Sequence, residues 1–246
     1  MKPDLGLAWR AVVESPLFGI TLTVGAYQLA MVLWRRTGRH ALANPVLVAV
    51  AVVAGVLAVS RVGYQQYLSG ACFISFLLGP ATVALALPLH RHASRIRQAA
   101  APILACVVLG AVTAVVAAVT ITEAFGGSDT LALSMAPKSA TTPIAIALAQ
   151  TTGGIPALAA VFTILTGVIG AVAGPGLLTL LRVRDQRVRG LAIGMSSHGI
   201  GTSRALHDDP LAGAFSGLAM AMNALATPLV LPVLLATMPW LLHPAP

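Results

Sequence analysis

Acidic side chains are almost missing from this chain: seven Asp and Glu stand in 246 residues, and none falls inside a long apolar run. Sodium sites and many proton relays within membranes lean on buried carboxylates, so those chemistries lose their usual ligands here. Cysteine is scarcer still. Cys72 and Cys106 lie in separate apolar runs with no His or Cys at metal-ligand spacing, and they read as small core residues rather than a metal or disulfide pair. No GxSxG elbow, HExxH pair or Walker loop occurs, and the neighbours Ser197 and His198 have no carboxylate placed to orient the imidazole. Catalysis is not expected, and no cofactor or metal is implied.

Charge of either sign is also thin, at 9% of residues against 57% hydrophobic, with a mean hydropathy of +0.89. A soluble domain cannot carry that surface. Runs approaching the roughly 20 helical residues needed to span a bilayer cover residues 16–34, 41–59, 67–89, 99–122, 156–181 and 211–240. An all-α, multi-pass membrane domain over residues 16–242 with about six spans is therefore expected. Residues 1–15 are not read as a signal peptide, because Asp4 and Glu14 dilute the positive start and no small-residue cleavage pattern follows. They are expected to form a short interfacial segment of a protein used at full length.

The net charge of +8 does not point to nucleic acid, since the basic residues gather in short loops: Arg35, Arg36 and Arg39, then residues 91–97, then residues 182–189. Positive charge on the cytoplasmic side explains that placement. If all three loops are cytoplasmic, the linker from Glu123 to Asp129 is external, and residues 130–152 must leave and return on the outer side. By the same logic residues 190–208 leave and return on the inner side. Both segments are polar and interrupted by Gly or Pro, which inside a membrane suits a cavity lining rather than a lipid face. Two oppositely oriented re-entrant or broken-helix segments are the device of inverted-repeat secondary transporters, which place their solute near the midplane. Gly79-Pro80 and Gly174-Pro175, each shortly before a basic loop, form a faint internal echo.

The two segments carry anion chemistry. Thr142 before Pro143 signals a helix start, predicting a half-helix from Pro143 to about Gln150. Gly199 and Gly201 are expected to unwind the second segment, with Thr202 or Ser203 capping a half-helix to His207. Converging helix N-termini favour anions. Lys138 adds a mobile charge, Arg204 a planar fork for a carboxylate, and Ser139, Thr141, Thr142, Ser197 and Thr202 offer hydroxyls. A small carboxylate is the expected solute. Any proton coupling falls to His198, whose ordinary pKa lies near neutrality, or to the solute itself. Bland alternatives stand beside each: Lys138 snorkelling outward, His198 as a hydrogen-bonded packing residue, Arg204 with His207 as a cytoplasmic anchor, Asn223 bonding between helices rather than approaching solute, and Pro228 and Pro232 kinking the last span.

These residues carry a family likeness. The run Pro137-Lys138-Ser139-Ala140-Thr141-Thr142-Pro143-Ile144-Ala145 and the run Ser197-His198-Gly199-Ile200-Gly201-Thr202 resemble the signature segments of the LrgB/CidB family. Further similarity lies in residues 76–85, in Gly153-Gly154-Ile155-Pro156 and in residues 167–178, so the resemblance extends over residues 16–235. Ala140 departs from a valine frequent in the family. The resemblance implies two divergent roles. Bacterial members are described as antiholin-like modulators of murein hydrolase export and autolysis, working with a small holin-like LrgA/CidA partner. Plastid relatives resemble glycolate/glycerate transporters, and some bacterial pairs are linked to pyruvate uptake. The residues favour a monocarboxylate transporter in the bacterial cytoplasmic (inner) membrane, with membrane lipid around it, and analogy with other transporters adds a homodimer.

Overall fold

The computed structural model describes residues 12–13, 15–38, 43–84, 90 and 93–237. The expected interfacial segment 1–15 falls almost wholly outside these residues, as do Arg39, Arg91, the end of the third expected span at 85–89 and the last span beyond residue 237. The described residues form ten helices and no strand. Two compact units divide the chain, one up to residue 86 and one from residue 87 onward.

The first unit holds α1 (Pro16–Arg36), α2 (Pro45–Ser60) and α3 (Tyr64–Ala84). Local chemistry sets their starts. The Ser15 hydroxyl caps α1 and the Asn44 side-chain Oδ1 caps α2, each just before a proline whose missing N–H costs nothing at that position. Small residues then let the helices close up: a Cβ on Gly19 would lie 2.6 Å from the Tyr67 carbonyl, Thr23 Oγ1 meets Tyr67 Oη at 2.7 Å, and Ala26, Ala30 and Ala49 form the seam between α1 and α2. Close backbone approach is what holds helices together where no solvent drives them.

The second unit begins with the short α4 (Ala93–Gln98) and contains three long helices, α5 (Ala100–Ala124), α8 (Pro156–Leu180) and α10 (Pro210–Thr237). Between them lie α6 (Asp129–Met135), α7 (Thr142–Thr152) and α9 (Gln186–Asp208). Helices α5 and α10 run parallel, because Ile103 and Val107 pack with Phe215 while Val115 and Val119 pack with Leu231 and Leu234. Helix α8 runs the other way: Ala159 sits with Ala145 and Ala149 of α7, and Leu178 with Ile193, Ala205 and Ala212.

Each of the six expected spans coincides with a helix. Four, Leu17–Arg36, Ala100–Ala124, Pro156–Leu180 and Pro210–Thr237, are long and apolar enough to cross a membrane. Helix α2 has 16 residues and is ~24 Å long, shorter than the hydrocarbon core. Cys72 and Cys106 are both exposed on their helices, which corrects the expectation that they are core residues. Such runs are apolar on every face, so apolarity alone does not say which side is inside.

Candidate functional site

Both interrupted segments are broken, and both reverse. In the first, the Ser128 hydroxyl caps α6, the chain turns through residues 136–141 with Lys138 N–H bonded to the Met135 carbonyl and Ala140 N–H to the Pro137 carbonyl, and α7 leads back. The Ile155 N–H donates to Ser134 Oγ at 2.7 Å, clasping the two ends of the excursion. Ala132, Ala136 and Leu148 lie with Leu231 and Leu234, towards the far end of α10.

The second excursion is α9, helical on both sides of His198, where φ is 39° and ψ is −133°. Its first half runs parallel to α10: a Cβ on Gly190 would strike the Ala212 backbone, and one on Gly194 the Ser216 backbone. Its second half runs antiparallel, with Thr202 Oγ1 at 2.9 Å from Ser216 Oγ and Gly213 lying against Leu206. Gln186 and Asp208, the two ends of α9, line one common cavity.

The two turns meet at the middle of α10. Asn223, 1% exposed, donates through Nδ2 to the Ser139 carbonyl at 2.8 Å and to the Met195 carbonyl at 3.4 Å. Its Oδ1 accepts from Thr227 Oγ1 at 3.2 Å. One amide thus ties the first turn to the chain just before the second, and both of its N–H bonds are used in doing so. Asn223 thus bonds between elements, the packing role weighed for it beside contact with a solute. Lys138 is half-buried at the first turn, and its ammonium makes no hydrogen bond or ion pair among the described residues. Beside it, Thr141 is the N-cap of α7 without a side-chain bond, so the cap falls one residue before the expected Thr142, which occupies the first helical turn with Pro143. The N–H groups of Thr142 and Ile144 therefore open that helix without intrahelical partners.

The break in α9 corrects another expectation. Gly199 and Gly201 are helical and do not unwind the chain; the residue holding glycine-like torsions is His198. It is kept there by its ring, whose Nε2 meets the Thr163 carbonyl of α8 at 2.8 Å. A carbonyl only accepts, so Nε2 carries the proton and Nδ1 is the nitrogen left to gain one. Gly167 makes the space, because a Cβ there would lie 2.5 Å from His198 Cε1, and a Cβ on Gly170 would strike Ser197 Oγ. Gly201 serves the same purpose inside the excursion, facing Ser197 and Ile193. Thr163, Gly167, Gly170, Met195 and Ser216 were not foreseen; the small-residue spacing 163, 167, 170 in α8 was the available signal.

Thr202 does not cap a half-helix but bonds Ser216, and Ser197 Oγ, fully buried, pairs with Ser196 Oγ at 3.1 Å. Arg204 does not reach the turns. Its Nε donates to Asp208 at 2.9 Å, near the end of α9, which fits the anchor alternative and gives the guanidinium an acid of its own.

The cavity shared by the two ends of α9 has a volume of about 510 Å³ and is lined by Pro175, Thr179, Arg182, Arg184, Arg189 and Ile193 among others. Its acids have structural partners. Asp208 pairs with Arg204 and Asp209 caps α10 through the N–H groups of Leu211 and Ala212; outside the lining, Asp185 caps α9 through Arg187 N–H. The Arg187 guanidinium, followed by its backbone N–H, holds the Asp185 carboxyl down to about 2. Arg189 binds the carbonyls of Val183 and Pro175 and the Thr179 hydroxyl.

No solved structure matches the chain. Among curated proteins it is 37% identical to the uncharacterised protein YxaC of Bacillus subtilis (strain 168) over 91% of this chain and 95% of that one. It is 34% identical to the uncharacterised YwbG of the same organism, over 90% of this chain and 98% of that one. It is also 30% identical to the antiholin-like protein LrgB of Bacillus mycoides (strain KBAB4), over 91% of this chain and 97% of that one. Residues 23–237 match the LrgB-like family, so the resemblance carried by the two broken segments holds along nearly the whole chain, and the protein belongs to the LrgB-like family.

Proposed function

We propose that this chain is a secondary transporter of small monocarboxylates, of the glycolate, glycerate or pyruvate type, in the cytoplasmic membrane of a bacterium. The observation that carries the reading is the meeting of two chain reversals at Asn223, from opposite ends of α10, beside a lysine whose ammonium has no partner among the described residues. In membrane terms the reversals are re-entrant segments from opposite faces, the arrangement by which inverted-repeat carriers place a solute at mid-depth. The basic end of the second unit, with Arg182, Arg184 and Arg187, faces the cytoplasm. Lys138 neutralises the carboxylate, the open N–H groups of Thr142 and Ile144 add a helix N-terminus, and the hydroxyls of Ser139, Thr141 and Thr142 address the rest of the solute. We assign it no catalytic activity, and expect a homodimer.

A second reading comes from the relatives. The Bacillus mycoides protein is named antiholin-like, and that name speaks more directly for modulation of murein hydrolase export and autolysis, with a small LrgA/CidA-type partner, than for a carboxylate carrier. Uptake of labelled glycolate, glycerate and pyruvate into proteoliposomes separates the two. The wild type should show saturable uptake, and Lys138→Ala should lose it by about tenfold or more, the worth of one charge-assisted hydrogen bond, while keeping its folded yield. A well-folded wild type without uptake, alone or with the small partner, together with an undiminished autolysis effect in Lys138→Ala, would replace the transporter by the regulator.

A further inference from the structure

The cavity at the common end of α9 lies outside the site just described, yet one side chain separates the two. Ile193 lines the cavity and packs with Ala205, Ala212 and Leu178 in a small apolar plug. On its other side Ile193 reaches Gly201, where a Cβ would lie 2.8 Å from Ile193 Cγ2 and closer still to Ser197 Cβ. Ser197 is the residue next to the break. From the cavity to the second turn there is thus a single apolar layer, and Ile193, only 5% exposed, is its largest buried member.

The charge in the cavity has a direction. Asp208 is paired with Arg204 and Asp209 caps α10, while Arg189 is held by two carbonyls and a hydroxyl. Arg182 and Arg184 make no side-chain hydrogen bond or ion pair among the described residues. A concave, low-dielectric space with two such guanidiniums raises the local concentration of anions.

We propose that this cavity is the inner vestibule of the solute path, selective for small anions, and that Ile193 is the one-residue gate closing it from the second turn. The inference rests on the transporter reading. It also supplies what that reading lacks, a route from Ser197 to the basic face. Opening requires only that the second half of α9, which reverses at His198, move away from the first half, to which Ile193 belongs.

Thiol labelling in the full chain tests this without relying on flux, in a Cys72→Ala, Cys106→Ala background and in inside-out vesicles. Gln186→Cys, at the mouth, should react with anionic sulfonatoethyl methanethiosulfonate about fivefold or more faster than with its cationic trimethylammonioethyl counterpart, and Arg182→Gln with Arg184→Gln should erase that preference. Ser197→Cys should react about tenfold or more slowly than Gln186→Cys, a protection of the kind a closed apolar layer gives. Adding Ile193→Ala should restore its reactivity, with an unchanged gel-filtration profile as the fold control. Equal labelling of both thiols with Ile193 in place overturns the gate, continued protection after Ile193→Ala overturns its single-residue character, and an indifferent Gln186→Cys overturns the anion vestibule. Failure of the transporter reading shows instead as absent uptake in the proteoliposome experiment, whatever the labelling pattern.

Discussion

His198 combines two features that pull in opposite directions. Its backbone occupies a region that glycine tolerates and other residues seldom enter, at a cost of about 1–3 kcal/mol, while its ring makes a buried bond to the Thr163 carbonyl. Substitutions separate them. His198→Ala keeps the torsional cost and loses the bond, so it should destabilise by roughly 1–3 kcal/mol. His198→Gly loses the same bond but relieves the backbone, and should be more stable than the alanine variant by about 1 kcal/mol. Reversible unfolding in mixed micelles reads the order, and an alanine variant equal to the glycine variant would mean the break carries no strain. Glutamine, whose amide can place a donor where Nε2 stood, should preserve the fold. If Nδ1 is the proton carrier, His198→Gln should also remove the dependence of uptake on a pH gradient.

Among the elements, α10 acts on both excursions through one amide. Asn223→Leu leaves the Ser139 and Met195 carbonyls without their donor, each lost bond weighing about 1–3 kcal/mol. Asn223→Asp is the harsher change, because it turns a carboxylate towards two carbonyl oxygens and must bury a charge. The leucine variant should therefore fold in better yield than the aspartate variant, by size-exclusion profile in detergent; the reverse order would mean that Asn223 faces a cation or water instead. The sequence reaches these elements unevenly. Lys138, Pro143 and the run from Ser196 to Arg204 mark both excursions, because polarity and Gly or Pro inside an apolar chain are visible one residue at a time. The positions of the breaks are less visible. Gly199 and Gly201 look like the flexible points, yet tertiary contacts put the break on His198 and use Gly201 for close approach to Ser197 and Ile193. Arg204 looks like a carboxylate fork, and only the fold reveals Asp208 one turn away on the same side. The role of Asn223 depends on partners 84 and 28 residues distant, a separation no local pattern encodes.

At the scale of the whole second unit, charge sorts the two ends. Glu123 and Asp129 lie where α5 ends and α6 begins, and the arginines of residues 182–189 lie where α8 ends and α9 begins. With the basic end inside, Phe125→Cys, 89% exposed in the wild type, should label from the outer side of intact cells. Gln98→Cys, exposed near the start of α5, should label only in inside-out vesicles. Both thiols on one side would break the assignment of the long helices as crossings. The same unit sets how a membrane voltage acts on it. Lys138 is the one formal charge at the two turns among the described residues, and the tie between them is an uncharged amide. In the proposed transport cycle a bound monoanion would cancel that charge, so the loaded protein would change state across the field with little electrical work. The empty protein carries its lysine alone, and a full crossing would meet about 2.3 kcal/mol per 100 mV. On the transporter reading proposed above, voltage would act on the return of the empty protein and leave the loaded step almost untouched.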